Sequence, residues 1–243
     1  MKRYYEGHEG VYGRLAAAGA DCWGEDDFDN VYMLEFLEFA LRQTRVDDLE
    51  NVRALVIGCG TGPLACTLSR RGYQVSGFDI SPTAIEMAKE QAQKRGLQIR
   101  YWVGDLCRDD LGDEHYDLIV DSHCLHCIVP EEDRSTALTS IRRALRPDGV
   151  FILETMMGSV DSEEAQSDNE GIIWTPYGEM PPDFEPRVQR PDGLWYVPQR
   201  RLRPDKAALD DELRAAGFQI HWSQEMPSSD TNGARDYQGI CGR

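Results

Sequence analysis

The 243-residue sequence is poor in basic charge: 26 Lys and Arg stand against 43 Asp and Glu, a formal net charge of −17. Such a surface repels nucleic-acid phosphates and anionic lipid headgroups, so neither nucleic acid nor a membrane is expected as a partner. The best candidate for a basic patch is QRRLR at 199–203, with Arg187 and Arg190 upstream. A solvated strand edge accounts for it better than a binding patch does. Long apolar runs are also missing: no 18 consecutive apolar residues occur, which argues against a transmembrane helix. The start, MKRYYEGHEG, lacks the apolar core of a secretory signal. A cysteine framework is lacking too, because the seven Cys are odd in number and sit in apolar segments such as VIGCG and ACTL. That usage points to a reducing, cytoplasmic setting. There is no internal repeat and no long low-complexity tract.

What is present is alternation. VYMLEFLEFALRQTR has helical apolar spacing, and VRALVIG (52–58) is a short apolar run that ends on Gly, as a buried parallel strand does. PLACTLSRRG follows as a helix, YQVSGFDI as a strand, and SPTAIEMAKEQAQKRG as a helix capped by Ser81 with Pro82 in its first turn. IRYWVGD and YDLIVDSH read as a third and a fourth strand. PEEDRSTALTSIRRALRPDG reads as a helix ending near Pro147 and Gly149, and VFILETM as a fifth strand. The pattern predicts an α/β fold with a doubly wound, mainly parallel sheet and helices on both faces. Residues 158–203 break it with Pro176, Pro181, Pro182, Pro186, Pro191 and Pro198 and an aromatic set, Trp174, Tyr177, Phe184, Trp195 and Tyr196. A stretch of that length is expected to be a substrate-side insertion or lid. Residues 1–50 are expected to form an N-terminal helical cap, 51–157 the binding core, and 204–243 a helix and strands that complete the sheet.

The loop after the first strand is GCGTG, residues 58–62. Three Gly in five positions let a ligand press against backbone, and the next helix offers free N–H groups. Asp79 ends the second strand, where a carboxylate can accept both hydroxyls of a ribose. The dinucleotide fingerprint fits poorly, since Gly62 follows Gly60 by two residues and Pro63 comes next. The order VIGCGTGPLA, VSGFDIS, WVGDL, YDLIVDSHCLH and LRPDGVFIL, from about 50 to 155, resembles the class I S-adenosylmethionine-dependent methyltransferases of small-molecule type. The resemblance implies a seven-stranded Rossmann-like sheet and S-adenosylmethionine as cofactor. It implies that Gly58, Gly60 and Gly62 line the methionyl and ribose portion, that Asp79 holds the ribose and that Ile80 packs on the adenine. Asp105 would bond the adenine amino group, with Leu106 beside the ring, and Asp121 and Ser122 would flank the methionyl part. An N-terminal side chain near the methionine carboxylate is expected from Trp23, Tyr4, Tyr5 or Arg14, with Trp23 preferred.

The remaining cluster is DSHCLHCIV, residues 121–129. Its His123, Cys124, His126 and Cys127 admit four readings: a metal site, a redox pair, a catalytic base, or packing at a strand end. Zinc needs four converging ligands, and neighbours on an extended segment point to opposite faces, so no metal is expected. C-x-x-C spacing outside a thioredoxin-like context is a weak redox signal. Ligands bind outside the carboxyl ends of such strands, which places His123 and His126 near a reacting centre as candidate catalytic groups. Trp174, Tyr177, Trp195 and Tyr196 are expected either to wall the acceptor or to form the insertion's own small core, and the arginines near them to hold an anionic acceptor. The expected activity is methyl transfer by in-line displacement to a small, specialised metabolite, by a monomer or homodimer. A peptide or protein side chain as acceptor, non-methylating chemistry on the same cofactor, and ligand sensing remain open beside it.

Overall fold

Along Arg53–Ile57 successive side chains turn to opposite faces of the sheet. Ala54 and Val56 enter one core and Leu55 and Ile57 the other, and all four are buried. A strand apolar on both sides needs cover on both sides. In the computed structural model, which describes residues 2–23, 28–29, 33–44, 51–159, 167–227 and 234–243, helices supply it. The chain runs β1 (Lys2–Arg3), α1 (His8–Ala18), α2 (Leu34–Gln43), β2 (Arg53–Ile57), α3 (Pro63–Arg70), β3 (Gln74–Asp79), α4 (Pro82–Lys94) and β4 (Arg100–Val103). It continues through β5 (Tyr116–Ser122), α5 (Glu131–Ala144), β6 (Leu145–Gly158), β7 (Ile172–Gly178), β8 (Phe184–Glu185), β9 (Val188–Gln189) and β10 (Trp195–Arg201). It closes with α6 (Lys206–Ala215), β11 (Gln219–Pro227) and β12 (Ala234–Gly242).

Seven strands form one sheet in the order β11-β12-β6-β5-β2-β3-β4, parallel from β6 to β4, with β12 and β11 antiparallel at the other edge. This is the doubly wound, Rossmann-like architecture the alternation predicts. The strand order reverses between β2 and β5, which pair with Ile57 opposite Asp121. Ligand crevices open at such a switch point, outside the carboxyl ends of the strands. The Gly-rich loop and the His/Cys segment leave those two strand ends side by side. Leu37, Leu64, Leu68 and Ile85 cover one face, and Leu138, Ile141, Phe151 and Leu213 pack on the other.

Two boundaries differ from the sequence reading. The α5 helix ends at Ala144, and β6 already begins at Leu145. The residue before Pro147 is biased away from helix, and the sheet takes up RPDG with a register irregularity between Tyr116 and Leu118. The insertion is itself a sheet, β7-β10-β9, while β8 pairs in parallel with β1 at the N-terminus. Among the described residues no helix is long and apolar enough to cross a membrane.

Candidate active site

At the switch point lies a cavity of about 710 Å³, within the ~300–1,000 Å³ range that encloses a small organic ligand. Its floor is the glycine loop. Gly58 and Gly60 have φ of 54° and 53°, a region costly for any residue with a side chain. A Cβ on Gly58 would meet Cys124 at 2.7 Å, and one on Gly60 would meet the Tyr12 hydroxyl at 2.9 Å. The loop is therefore backbone pressed close to the cavity, the form a ligand cradle takes. Gly62 does not line it; a Cβ there would face the Tyr101 hydroxyl at 2.5 Å, on the side of the core.

Asp79 is buried and accepts from Gly60 N–H at 2.9 Å and Ser81 N–H at 3.0 Å. Burial pushes its carboxyl above the ordinary value against these hydrogen bonds. Ile80, Asp105 and Leu106 line the same wall. Asp105 is already engaged: Tyr5 donates to it at 2.9 Å and Cys107 N–H at 2.9 Å.

The N-terminal segment closes the cavity over this wall. Tyr5, His8, Tyr12 and Trp23 line it, with Trp23 edge-on to Tyr12 at 5.4 Å. Arg14 lies exposed on α1, and Tyr4 is spent on the Cys127 carbonyl and Val129 N–H. Glu9 ties α1 to the start of α4, accepting from the Ser81 and Thr83 hydroxyls and Thr83 N–H. Burial pushes the Glu9 carboxyl up, but those hydrogen bonds outweigh it and hold it below its ordinary value. Sequence reasoning missed His8. Burial disfavours its charge, yet Cys127, the Tyr5 carbonyl and Asp79 override that and raise it to about 9.

The His/Cys segment departs from its expected extended form. It leaves β5 through His123 at φ 66° and turns into a 3-10 helix, Leu125–Cys127. Asp121 does not line the cavity. It lies buried beneath the turn and accepts from Cys124 N–H at 2.7 Å and Leu125 N–H at 2.9 Å. Burial raises its carboxyl to about 7. Buried Arg134 holds the other side of the turn, donating to the Leu125 and Ile128 carbonyls while its ion pair with Glu212 keeps it in place. Clamped from both sides, the turn holds His123 in a conformation that costs on the order of 1–3 kcal/mol.

Both His line the cavity, in different surroundings. His123 faces the cavity, with its Nε2 3.9 Å from Glu154 Oε1 and 3.8 Å from Asp236 Oδ1. Both acids are buried, and burial together with the neighbouring Asp236 and Asp121 charges raises Glu154 to about 7. His126, the alternative candidate for a base, is less suited to take a proton. It is buried, its Nδ1 already accepts from Met156 N–H at 3.2 Å, and burial holds its pKa well below the ordinary value. Cys124 packs on Gly58, and Cys127 donates to the His123 carbonyl at 3.7 Å. Among the described residues no group of three His, Cys, Asp or Glu is arranged to hold a metal.

The insertion aromatics are not at the cavity. Trp174 donates to Asp168 and Tyr196 to Asp192, while Trp195 and Tyr196 lie under Arg187 and Arg190. Tyr177 meets Phe184 edge-on at 6.1 Å. Tyr177 is exposed, Trp195 and Tyr196 are half-buried, and Trp174 and Phe184 pack against Tyr4, Tyr5, Val129 and Ile172, so the insertion's contribution to the cavity is Gln199 and Arg200.

Comparison with known proteins agrees with this geometry. Residues 55–153 match the methyltransferase domain family. A ubiquinone biosynthesis O-methyltransferase of Haemophilus ducreyi is 30% identical over 144 residues, 56% of this chain and 60% of its own length. The chain thus spans about three fifths of that curated relative. Among solved structures, a 1,6-didemethyltoxoflavin-N1-methyltransferase of Burkholderia thailandensis, with that compound and S-adenosylhomocysteine bound, superposes with a TM-score of 0.63 at 18% identity, covering 97% of this chain and 87% of its own. The cyclase SpnF superposes at 0.67 with 17% identity, covering 100% and 97%. At those identities the structures speak for the fold alone. The motif order, the strand order and the match over residues 55–153 agree: this stretch is similar to the methyltransferase domain family, and the chain shares the Rossmann-like fold of the solved methyltransferases.

Proposed function

We propose that the protein transfers a methyl group from S-adenosylmethionine to a hydroxyl of a small-molecule acceptor. One observation carries the reading: the glycine cradle and Asp79 open into the same cavity as His123. When bound, S-adenosylmethionine supplies a methyl already activated on a sulfonium. Gly58 and Gly60 would receive it against backbone, Asp79 would accept from the ribose hydroxyls, and Ile80 and Leu106 would pack on the adenine beside Asp105. Trp23 and Tyr12 would cover the methionyl side, with the His8 cation as a counter-charge for the carboxylate. The chain's remaining task is to place the acceptor in line and take its proton.

His123 would take that proton at Nδ1, while its buried Nε2 stays turned to the carboxyls of Glu154 and Asp236, which would stabilise the imidazolium. A base suits a hydroxyl acceptor, whose proton must leave as the bond forms. The curated relatives' names, O-methyltransferases of ubiquinone biosynthesis, point to oxygen as well. Titration calorimetry with S-adenosylhomocysteine tests the donor side: micromolar binding is expected, and no binding at millimolar concentration overturns the reading. Mass spectrometry of incubations with S-adenosylmethionine and phenolic acceptors then reads transfer. A 14 Da gain on the acceptor supports it, whereas a rearranged acceptor of unchanged mass indicates a cyclase.

A further inference from the structure

The wall contributed by the insertion is not used by the donor side. Arg200 is the only Arg or Lys among the described residues that line the cavity. Its guanidinium donates to Met156 Sδ at 3.0 Å, a weak acceptor, and among the described residues no carboxylate forms an ion pair with it. Its neighbours are placed quite differently. Arg201 is held by Glu131 and Glu170, and Arg203 by Glu131 and Glu212. A chain with 43 acids and 26 bases has no shortage of partners to offer. A register irregularity between Pro198 and Arg200 breaks the alternation of β10, the device that re-aims a side chain. Burial and the nearby positive groups, Arg200 among them, hold His126 uncharged, so its ring does not repel the guanidinium.

A half-buried guanidinium offers a planar fork of donors that matches a carboxylate in two parallel bonds. We propose that Arg200 binds a carboxylate of the acceptor, so that the protein methylates a hydroxy acid. The binding half stands on Arg200 alone, whereas the methylation half rests on the methyltransferase reading above. The carboxylate at Arg200 fixes one end of the molecule and leaves its hydroxyl to reach His123.

The test is calorimetry with 3,4-dihydroxybenzoate and the neutral 3,4-dihydroxybenzamide, run with and without S-adenosylhomocysteine, on the wild type, Arg200→Gln and Arg200→Lys. The acid is expected to bind the wild type at least about tenfold more tightly than the amide, the usual worth of a charge-assisted pair. Arg200→Gln should erase that preference while binding S-adenosylhomocysteine as the wild type does, and Arg200→Lys should keep part of it. Equal binding of acid and amide, binding of neither, or a preference that survives in Arg200→Gln overturns the proposal. Failure of the donor reading looks different: S-adenosylhomocysteine does not bind, while the acid preference remains in the titrations without it.

Discussion

His123 Nε2 stands 3.9 Å from Glu154 Oε1, which pairs a cavity-facing imidazole with a buried acid that titrates near neutrality. Glu154 sits in the core strand β6, and Gln238 donates to its other oxygen. Burial raises its carboxyl to about 7, well above the unfolded value near ~4.3. Between those values the folded state binds more protons than the unfolded one. Stability from this group is therefore full below about pH 4 and is lost as the pH rises through about 7.

Glu154→Gln removes the buried charge and keeps an acceptor for Gln238. It is expected to raise stability at pH 8 by about 1–3 kcal/mol and to leave it nearly unchanged at pH 4. Thermal denaturation at the two pH values reads this directly. A variant no more stable at pH 8 than the wild type would show that Glu154 is not charged and strained there. The same substitution should slow turnover, because a neutral amide does not stabilise the His123 imidazolium.

His123 is tested separately from the cofactor site. His123→Asn keeps a residue that tolerates positive φ but has no basic ring. Turnover is expected to fall ~10²–10⁴-fold, with S-adenosylhomocysteine affinity within about threefold of wild type. If turnover persists, the proton leaves by another route and His123 only shapes the pocket.

Much of this site is legible in the sequence, because glycines, a strand-end acid and alternating elements carry local signals. Gly58, Gly60 and Asp79 come from strands whose ends converge by topology, Ile80, Asp105 and Leu106 are reached only through the family resemblance, and Gly62 faces the core instead. Asp121 was legible as a strand-end acid but not in its direction. An Asx side chain that caps a turn looks the same in sequence as one that faces a ligand, and only the N–H groups of Cys124 and Leu125 decide. His8 and Glu9 escaped because α1 buries only Tyr12 and docks by hydrogen bonds, which leave no apolar period. Glu154 did leave a signal, one acid inside the apolar run VFILETM. The insertion aromatics misled because their partners, Asp168 and Asp192, lie in turns of the insertion itself, and composition does not say which way a strand with a register break points.

Asp79 has two duties that a pair of substitutions separates. It receives Gly60 and Ser81 N–H groups, and it would receive the ribose. Asp79→Ala should weaken S-adenosylhomocysteine binding by about 10–100-fold, since a charged acceptor is lost. Asp79→Asn keeps one acceptor for the loop and should fall between the two. Calorimetry on both variants checks the order, and an Asp79→Ala protein that binds like the wild type would place the ribose elsewhere.

Glu9 makes the N-terminal cover conditional on a single side chain. Its carboxylate bonds Ser81 and Thr83 at the start of α4, where the helix dipole favours negative charge. The α1 helix that carries it also carries His8 and Tyr12 to the cavity. Glu9→Ala is expected to cost about 1–2 kcal/mol locally, so that α1 opens roughly tenfold more often while the parallel sheet keeps its protection. Hydrogen exchange should then quicken across residues 8–18 and stay unchanged in β2 and β5. S-adenosylhomocysteine affinity should fall several-fold, because the wall residues His8, Val11 and Tyr12 leave with the helix. Unchanged exchange over α1 would mean that the Tyr5 and Tyr12 contacts hold the cover without Glu9.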